Sequence, residues 1–310
     1  MREEFSSNRE SIREALSMAK PTRHWLPVLS LLFAATLWGI VWYPLRLLES
    51  QGLAGLWSAM ISYGAALLVC LAVFVRQRGA LRDNLPALIM LGLAAGWCNV
   101  AFIMAVLDGA VVRVLLLFYL SPFWAVCLGW LMLDERMDGK TLIVFLVAVG
   151  GAIIMLWDES IGLPWPRDAS DWLAVSSGFA FALSNVFVRR IQSVDVWLKS
   201  AMTWLGVVVI AGVWIALSQT ALPPLDASTC LFAVLLGLGG FLIMTLSVQY
   251  GVARMPVHRS AVILLFELVV GAVSSLLLTD ETVAPREWLG GGMIVAAGYL
   301  AAHLHVGEPV

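Results

Sequence analysis

The sequence predicts an all-α integral membrane protein, with ten transmembrane helices arranged as two inverted five-helix repeats and both termini cytoplasmic. Three observations carry this. Hydrophobic residues make up 61% of the 310 and charged ones only 13%, with a mean hydropathy of +0.90; a water-soluble chain of this length could not keep so much apolar surface from water. The apolar residues fall in ten runs of membrane-crossing length. Arginine and lysine gather in alternate connections between those runs.

A bilayer core is crossed by about 20 apolar residues in helical form. The runs are 25–47, 55–75, 86–107, 110–133, 140–157, 171–190, 196–217, 229–250, 256–278 and 287–305. Backbone polar groups in lipid must be satisfied internally, so the runs are read as helices, and the two-residue alternation of barrel strands is absent. Residues 1–24 read as a polar cytoplasmic tail carrying Arg2, Arg9, Arg13, Lys20 and Arg23. The apolar run that follows is too long for a cleaved signal and lacks a small-residue cleavage pattern, so it reads as the first span. Residues 25–157 form the first repeat, 158–170 an extracytoplasmic linker, 171–305 the second repeat and 306–310 a short C-terminal tail. With the N-terminus in the cytoplasm, 15 of the 19 basic residues fall on that side or at adjoining helix ends. Only Arg46, Arg113, Arg167 and Arg286 fall on the other, as the positive-inside rule requires. Trp25, Trp57, Trp157, Trp165, Trp172, Trp197 and Trp288 stand near run ends, as interfacial anchors do.

The halves repeat. At an offset of 146 (259 minus 113), Arg113 falls on Arg259, Asp134-Glu135 on Asp280-Glu281, and Val106 and Val111 on Val252 and Val257. A repeat of five helices is odd, so its second copy enters the membrane from the opposite side. Two like halves of opposite orientation can exchange inward-open and outward-open shapes around one central site. The four cysteines lie in four different runs, without CxxC or a secreted-type framework, and read as small buried apolar residues. Gly92 and Gly96, Gly150-Gly151 and Gly290-Gly291-Gly292 read as close-packing sites between helices.

The first run carries Leu37-Trp38-Gly39-Ile40-Val41-Trp42. The fourth carries Leu120-Ser121-Pro122-Phe123 and ends at Leu133-Asp134-Glu135; the ninth ends at Leu278-Thr279-Asp280-Glu281, before the glycine-rich tenth. In this order the chain resembles the EamA-type members of the drug/metabolite transporter superfamily over nearly all of its length after residue 25. Within it the chain looks most like bacterial inner-membrane exporters of amino acids, the YddG-type aromatic amino acid exporters among them. The resemblance implies export across the cell inner membrane. It also marks Pro122 as the family's central proline, with Leu268 standing where the ninth helix commonly has a second one. The missing proline predicts a ninth helix stiffer than the fourth.

Polar groups inside the runs are the candidate site residues. Glu267 lies near mid-bilayer, where a carboxylate facing lipid costs about 2.5 kcal/mol or more; it reads as an anchor for a substrate ammonium group, a proton carrier or a structural carboxyl. Ser121 is its repeat counterpart. Pro122 beside it leaves the Phe118 carbonyl without its helical donor, either shaping the helix or offering an acceptor to a substrate. Pro44 is the corresponding helix-shaping or gating candidate in the first span. Asn99 and Asn185 could hold a substrate's carboxylate or amine, or act as interhelical glue like Gln249. His258 reads as an interfacial residue near the cytoplasmic mouth. Trp38 and Trp42 share a helix face. With Tyr63, Trp97, Phe118, Tyr119, Trp124 and Trp204 they could line a cavity suited to an aromatic or apolar solute, or pack the bundle.

The leading functional reading is a secondary transporter that exports small amphipathic metabolites by alternating access, amino acids favoured, in the lipid bilayer. Drugs and other metabolites of the same superfamily are the nearest alternative; anionic cargo would call for mid-span Arg or Lys, and there is none. A lipid-modifying membrane enzyme would need acids or histidines clustered at one interface, whereas the two acidic pairs fall on opposite sides. A sensor or scaffold would need a soluble output domain. No Walker A, HExxH or GxSxG motif is present, so the reading calls for no cofactor or metal and is not enzymatic. The net charge of -2 gives no reason to expect nucleic acid as a partner. The fold is compatible with a monomer.

Overall fold

The computed structural model describes residues 25–53, 55–109, 111–157, 166–224, 226–278 and 284–303. Among them every regular element is helical. The long helices are α1 (Trp25–Ser50), α2 (Gly55–Arg76), α3 (Leu85–Asp108), α4 (Val111–Phe118 continued by Ser121–Leu133), α5 (Gly139–Leu156), α6 (Ala169–Arg190), α7 (Val196–Ser218), α8 (Ala227–Val252), α9 (Val257–Leu278) and α10 (Pro285–His303), with a short helix, Arg78–Asp83, between α2 and α3. Nine of these, α1 to α9, are long and apolar enough to cross a membrane. The tenth has 19 residues but opens on Arg286 and Glu287. The tail 1–24 with its basic residues, most of the 158–170 linker, Asp280-Glu281 and the 306–310 tail lie outside the described residues.

Outward-facing side chains are those of a lipid-facing protein. Leu68, Val75, Leu131, Leu217 and Leu277 are each at least 68% exposed, which water would not tolerate on this scale. Trp25, Trp157, Trp172, Trp197 and Trp288 stand exposed at or near helix ends. Four helices start on an aspartate whose carboxylate satisfies an orphan amide of the first turn. Asp138 accepts from Thr141 N, Asp168 from Asp171 N, Asp195 from Trp197 N and Asp226 from Thr229 N. The hydroxyl of Ser228 and the Thr229 contacts hold the Asp226 carboxyl down, at about 2.

Packing runs between the halves. Helix α3 lies against α6 and α7, and α8 lies against α1 and α2; α4 packs on α6, and α9 on α1; α2 meets α7, α4 meets α9, and α5 meets α10. Exchanging each helix for its partner five places along maps this pattern onto itself. Glycines permit the closest approaches. A Cβ on Gly206 would stand 1.8 Å from the Gly92 oxygen where α7 crosses α3. Between α5 and α10, a Cβ on Gly290 would stand 2.4 Å from the Gly151 oxygen.

Three helices are interrupted: α1 at Val41, α4 at Tyr119-Leu120 and α9 at Leu265. Proline accounts for two of these. Pro44 and Pro122 have no N–H for the carbonyls of Ile40 and Phe118, the last residues of the preceding segments. The third break corrects the expectation of a stiffer ninth helix. Leu265 is the repeat counterpart of Tyr119, yet Leu268 stands where Pro122 does. No proline accounts for this break; just beyond it Gly39 of α1 packs closely, so that a Cβ there would lie 2.7 Å from the Glu267 backbone carbonyl oxygen and from Val270 Cβ. Helix α8 widens into a π-helical turn at Leu236–Phe241, where Gly237 backs onto the Ser62 carbonyl.

Candidate functional site

Glu267 lies in the first turn of the second α9 segment, Phe266–Leu278, an end where the helix dipole favours a carboxylate. It accepts a hydrogen bond from the hydroxyl of Tyr119, in the interruption of α4. The breaks of the two repeats are thus tied side chain to side chain. Ser121 and Pro122 are both buried at the start of the second α4 segment. A small cavity is bounded by Phe118, Tyr119, Ser121, Pro122, Phe181 and Glu267. The Phe118 ring meets Phe102 at 4.9 Å and Phe181 at 5.7 Å between centroids. Its carbonyl, freed by Pro122, is covered rather than open: a Cβ on Gly178 of α6 would lie 2.5 Å from that oxygen. Asn185 is 5% exposed, one turn along α6 from Phe181, and makes no side-chain hydrogen bond among the described residues.

The remaining candidates gather elsewhere. Tyr63 donates to Asn99 Oδ1 at 2.8 Å and stacks on Phe241 at 4.4 Å, while Asn99 returns its amide to the Ala95 carbonyl. Trp38 tilts against Phe241, and the fully buried Trp204 donates to Thr245. This group adjoins the first through α3, where Asn99 and Phe102 are three residues apart on one face. Trp97 is turned to Ser176 and Trp214, and Trp42 donates to Ser274 at 2.9 Å. Because α1 breaks at Val41, Trp38 and Trp42 belong to different segments. Phe102 and Phe181 are the residues that sequence reasoning missed. Phe181 precedes Asn185 by four residues, a helical spacing that could have drawn it in.

Both ends of α4 are held by charge. At its start Arg113 donates Nε to both Asp171 oxygens at 2.8 Å, and the pair is buried. At its end Glu135 accepts from Arg189 Nε at 3.1 Å and from Val257 N at 2.7 Å, with His258 Nδ1 at 3.9 Å. His258 is therefore buried beside a carboxylate. Lys199, in the first turn of α7, is 1% exposed. Its ammonium points at the Val188 and Ile191 carbonyls, where α6 ends and a cation is favoured.

The profile of the EamA-like transporter family matches the chain twice, over residues 25–157 and 169–302. The chain belongs to the EamA-like transporter family. An Escherichia coli (strain K12) relative named "Probable amino-acid metabolite efflux pump" is 24% identical over 233 residues, covering 71% of this chain and 78% of the relative. A solved crystal structure of a protein shares the fold, with a TM-score of 0.69 at 18% identity, over 90% of this chain and 97% of that one. This EamA-like chain is accordingly a multi-pass bacterial membrane transporter.

Proposed function

We propose that this transporter exports small amphipathic metabolites, amino acids foremost and aromatic or hydrophobic ones in particular, by alternating access. In this reading ten spans form two inverted repeats, with both termini in the cytoplasm. The observation that carries it is the Tyr119–Glu267 hydrogen bond, which joins the interruptions of both repeats beside an aromatic-walled cavity. A mid-membrane carboxylate is costly without a partner, so a substrate ammonium group would be a favourable replacement for the Tyr119 hydroxyl. Phe118 and Phe181 would take the side chain, and Asn185, with its unengaged amide, the substrate carboxylate. Exchange of Tyr119 for substrate on Glu267 would release one repeat's break from the other, coupling binding to rearrangement. The amino-acid class is supported by the name of the Escherichia coli relative.

The test is uptake of labelled phenylalanine, tryptophan and threonine into proteoliposomes. The parent should show saturable uptake, and Glu267→Gln should lose about tenfold or more at equal protein level, as expected for removal of one charge-assisted contact. Tyr119→Phe should change apparent affinity while transport persists. Transport of none of the three solutes would turn the reading to drugs or other metabolites. Full activity in Glu267→Gln would leave that carboxyl a structural one.

A further inference from the structure

Arg113 and Arg259 occupy the same position in the two repeats but stand in different surroundings. The first is matched by a carboxylate, Asp171, on both oxygens. The second donates Nη2 to the Ala302 carbonyl at 2.7 Å and forms no ion pair among the described residues. Its Nε is shut from solvent without any hydrogen-bond partner, and so is the hydroxyl of Thr141. Both residues border one small, partly open cleft, with His258 as its third polar wall. Two orphaned groups around one space, one of them on an unmatched guanidinium, mark a missing oxyanion. A planar guanidinium with a hydroxyl beside it fits phosphate oxygens well.

We propose that this cavity binds one oxyanion of phosphate type, carried by the headgroup of an anionic membrane lipid. Its position selects the source. Thr141 is in the first turn of α5 and Ala301, a further wall, in the last turn of α10, so the space lies at the ends of these helices. Exposed Tyr299 and the Trp25–His303 ring pair at 4.7 Å stand at the same level, as aromatics do at a membrane interface. Ile143 and Leu300 point outward beside it, where acyl chains run. Basic pockets between helix ends are where phospholipid headgroups are held. Of the nearby acids, Glu135 is engaged by Arg189 and Val257 N, and Asp138 by Thr141 N.

The test uses the full chain purified in detergent, titrated separately with phosphatidylglycerol, phosphatidylcholine and inorganic phosphate. Native mass spectrometry counts bound lipid, and thermal unfolding reports stabilisation. The parent should retain one phosphatidylglycerol in preference to phosphatidylcholine, with occupancy about tenfold lower in Arg259→Gln and in Thr141→Val. Thr141→Val removes only the hydroxyl and keeps the amide that Asp138 caps, so it guards against a folding defect in Arg259→Gln. Equal protection by inorganic phosphate, lost in both variants, would support the site and assign it to a soluble anion. Retention unchanged in both variants, or no preference for phosphatidylglycerol together with no phosphate effect, overturns the proposal.

Discussion

Single residues at this protein's core act through the company they keep. Asp171 is the clearest case outside the cavity, 2% exposed and bonded by Arg113 and by the Arg167 amide. Removing one member of a buried pair strands the other, at about 3–5 kcal/mol, whereas replacing both with apolar groups is far milder. Asp171→Leu should therefore lower the unfolding temperature sharply in detergent, and Arg113→Met with Asp171→Leu should recover most of the loss. Equal losses in single and double variants would show that the pair is not the source of the stability. Glu267 was legible in the sequence because a carboxylate inside an apolar run has few innocent explanations. Its partner was not. Tyr119 lies 148 residues away, and only folding brings its hydroxyl to the carboxylate.

At the scale of the helix, the sequence announces what proline and glycine do and is silent about what neighbours do. The ten runs agree with the helices to within a few residues, and the breaks at Val41 and Tyr119-Leu120 follow from Pro44 and Pro122. The break at Leu265 does not: no proline stands there, and Gly39 of another helix packs just beyond it. Likewise the π-helical turn in α8 depends on Gly237 meeting Ser62 of another helix. Gly206→Ala should destabilise by about 1–3 kcal/mol through overpacking against Gly92, while Gly298→Ala, which meets nothing within 4 Å, should be neutral or slightly stabilising. Comparable unfolding temperatures for the two would refute the close-packing role. The start of α8 carries a pH signature. Asp226 has a depressed carboxyl, so its contribution is present above the unfolded value of about 3.9 and is lost as pH falls through about 2. Amide exchange at Thr229 should be faster in Asp226→Ala than in the parent at neutral pH, and a matching rate would dismiss the cap.

Across the whole molecule, the reading of two related halves came from one offset and a handful of coincidences. The matched packing of α3 with α6 and α7, and of α8 with α1 and α2, gives that offset a physical meaning. What could not be read was which candidates meet: Trp42 and Trp97 are engaged away from the cavity, whereas Phe181 completes it. The Glu135 cluster ties the end of α4 to α6 and α9 and should keep that end of the bundle shut. In a background without the native cysteines, Ala125→Cys, at a site 2% exposed between these helices, should resist a water-soluble maleimide. Adding Glu135→Gln should speed its labelling several-fold, and an unchanged rate would remove the cluster from any gating role.

The cross-half packing also bears on how the protein is made. Helix α3 leaves the ribosome well before α7, the surface that covers its glycines, has been synthesised. The first half must therefore wait in the bilayer with Gly92 and Gly96 against lipid, and the bundle assembles late, once most of the chain has been inserted. Biogenesis, more than the finished fold, is where a bulky residue at either glycine would be felt first: as aggregation or proteolysis of half-made chains.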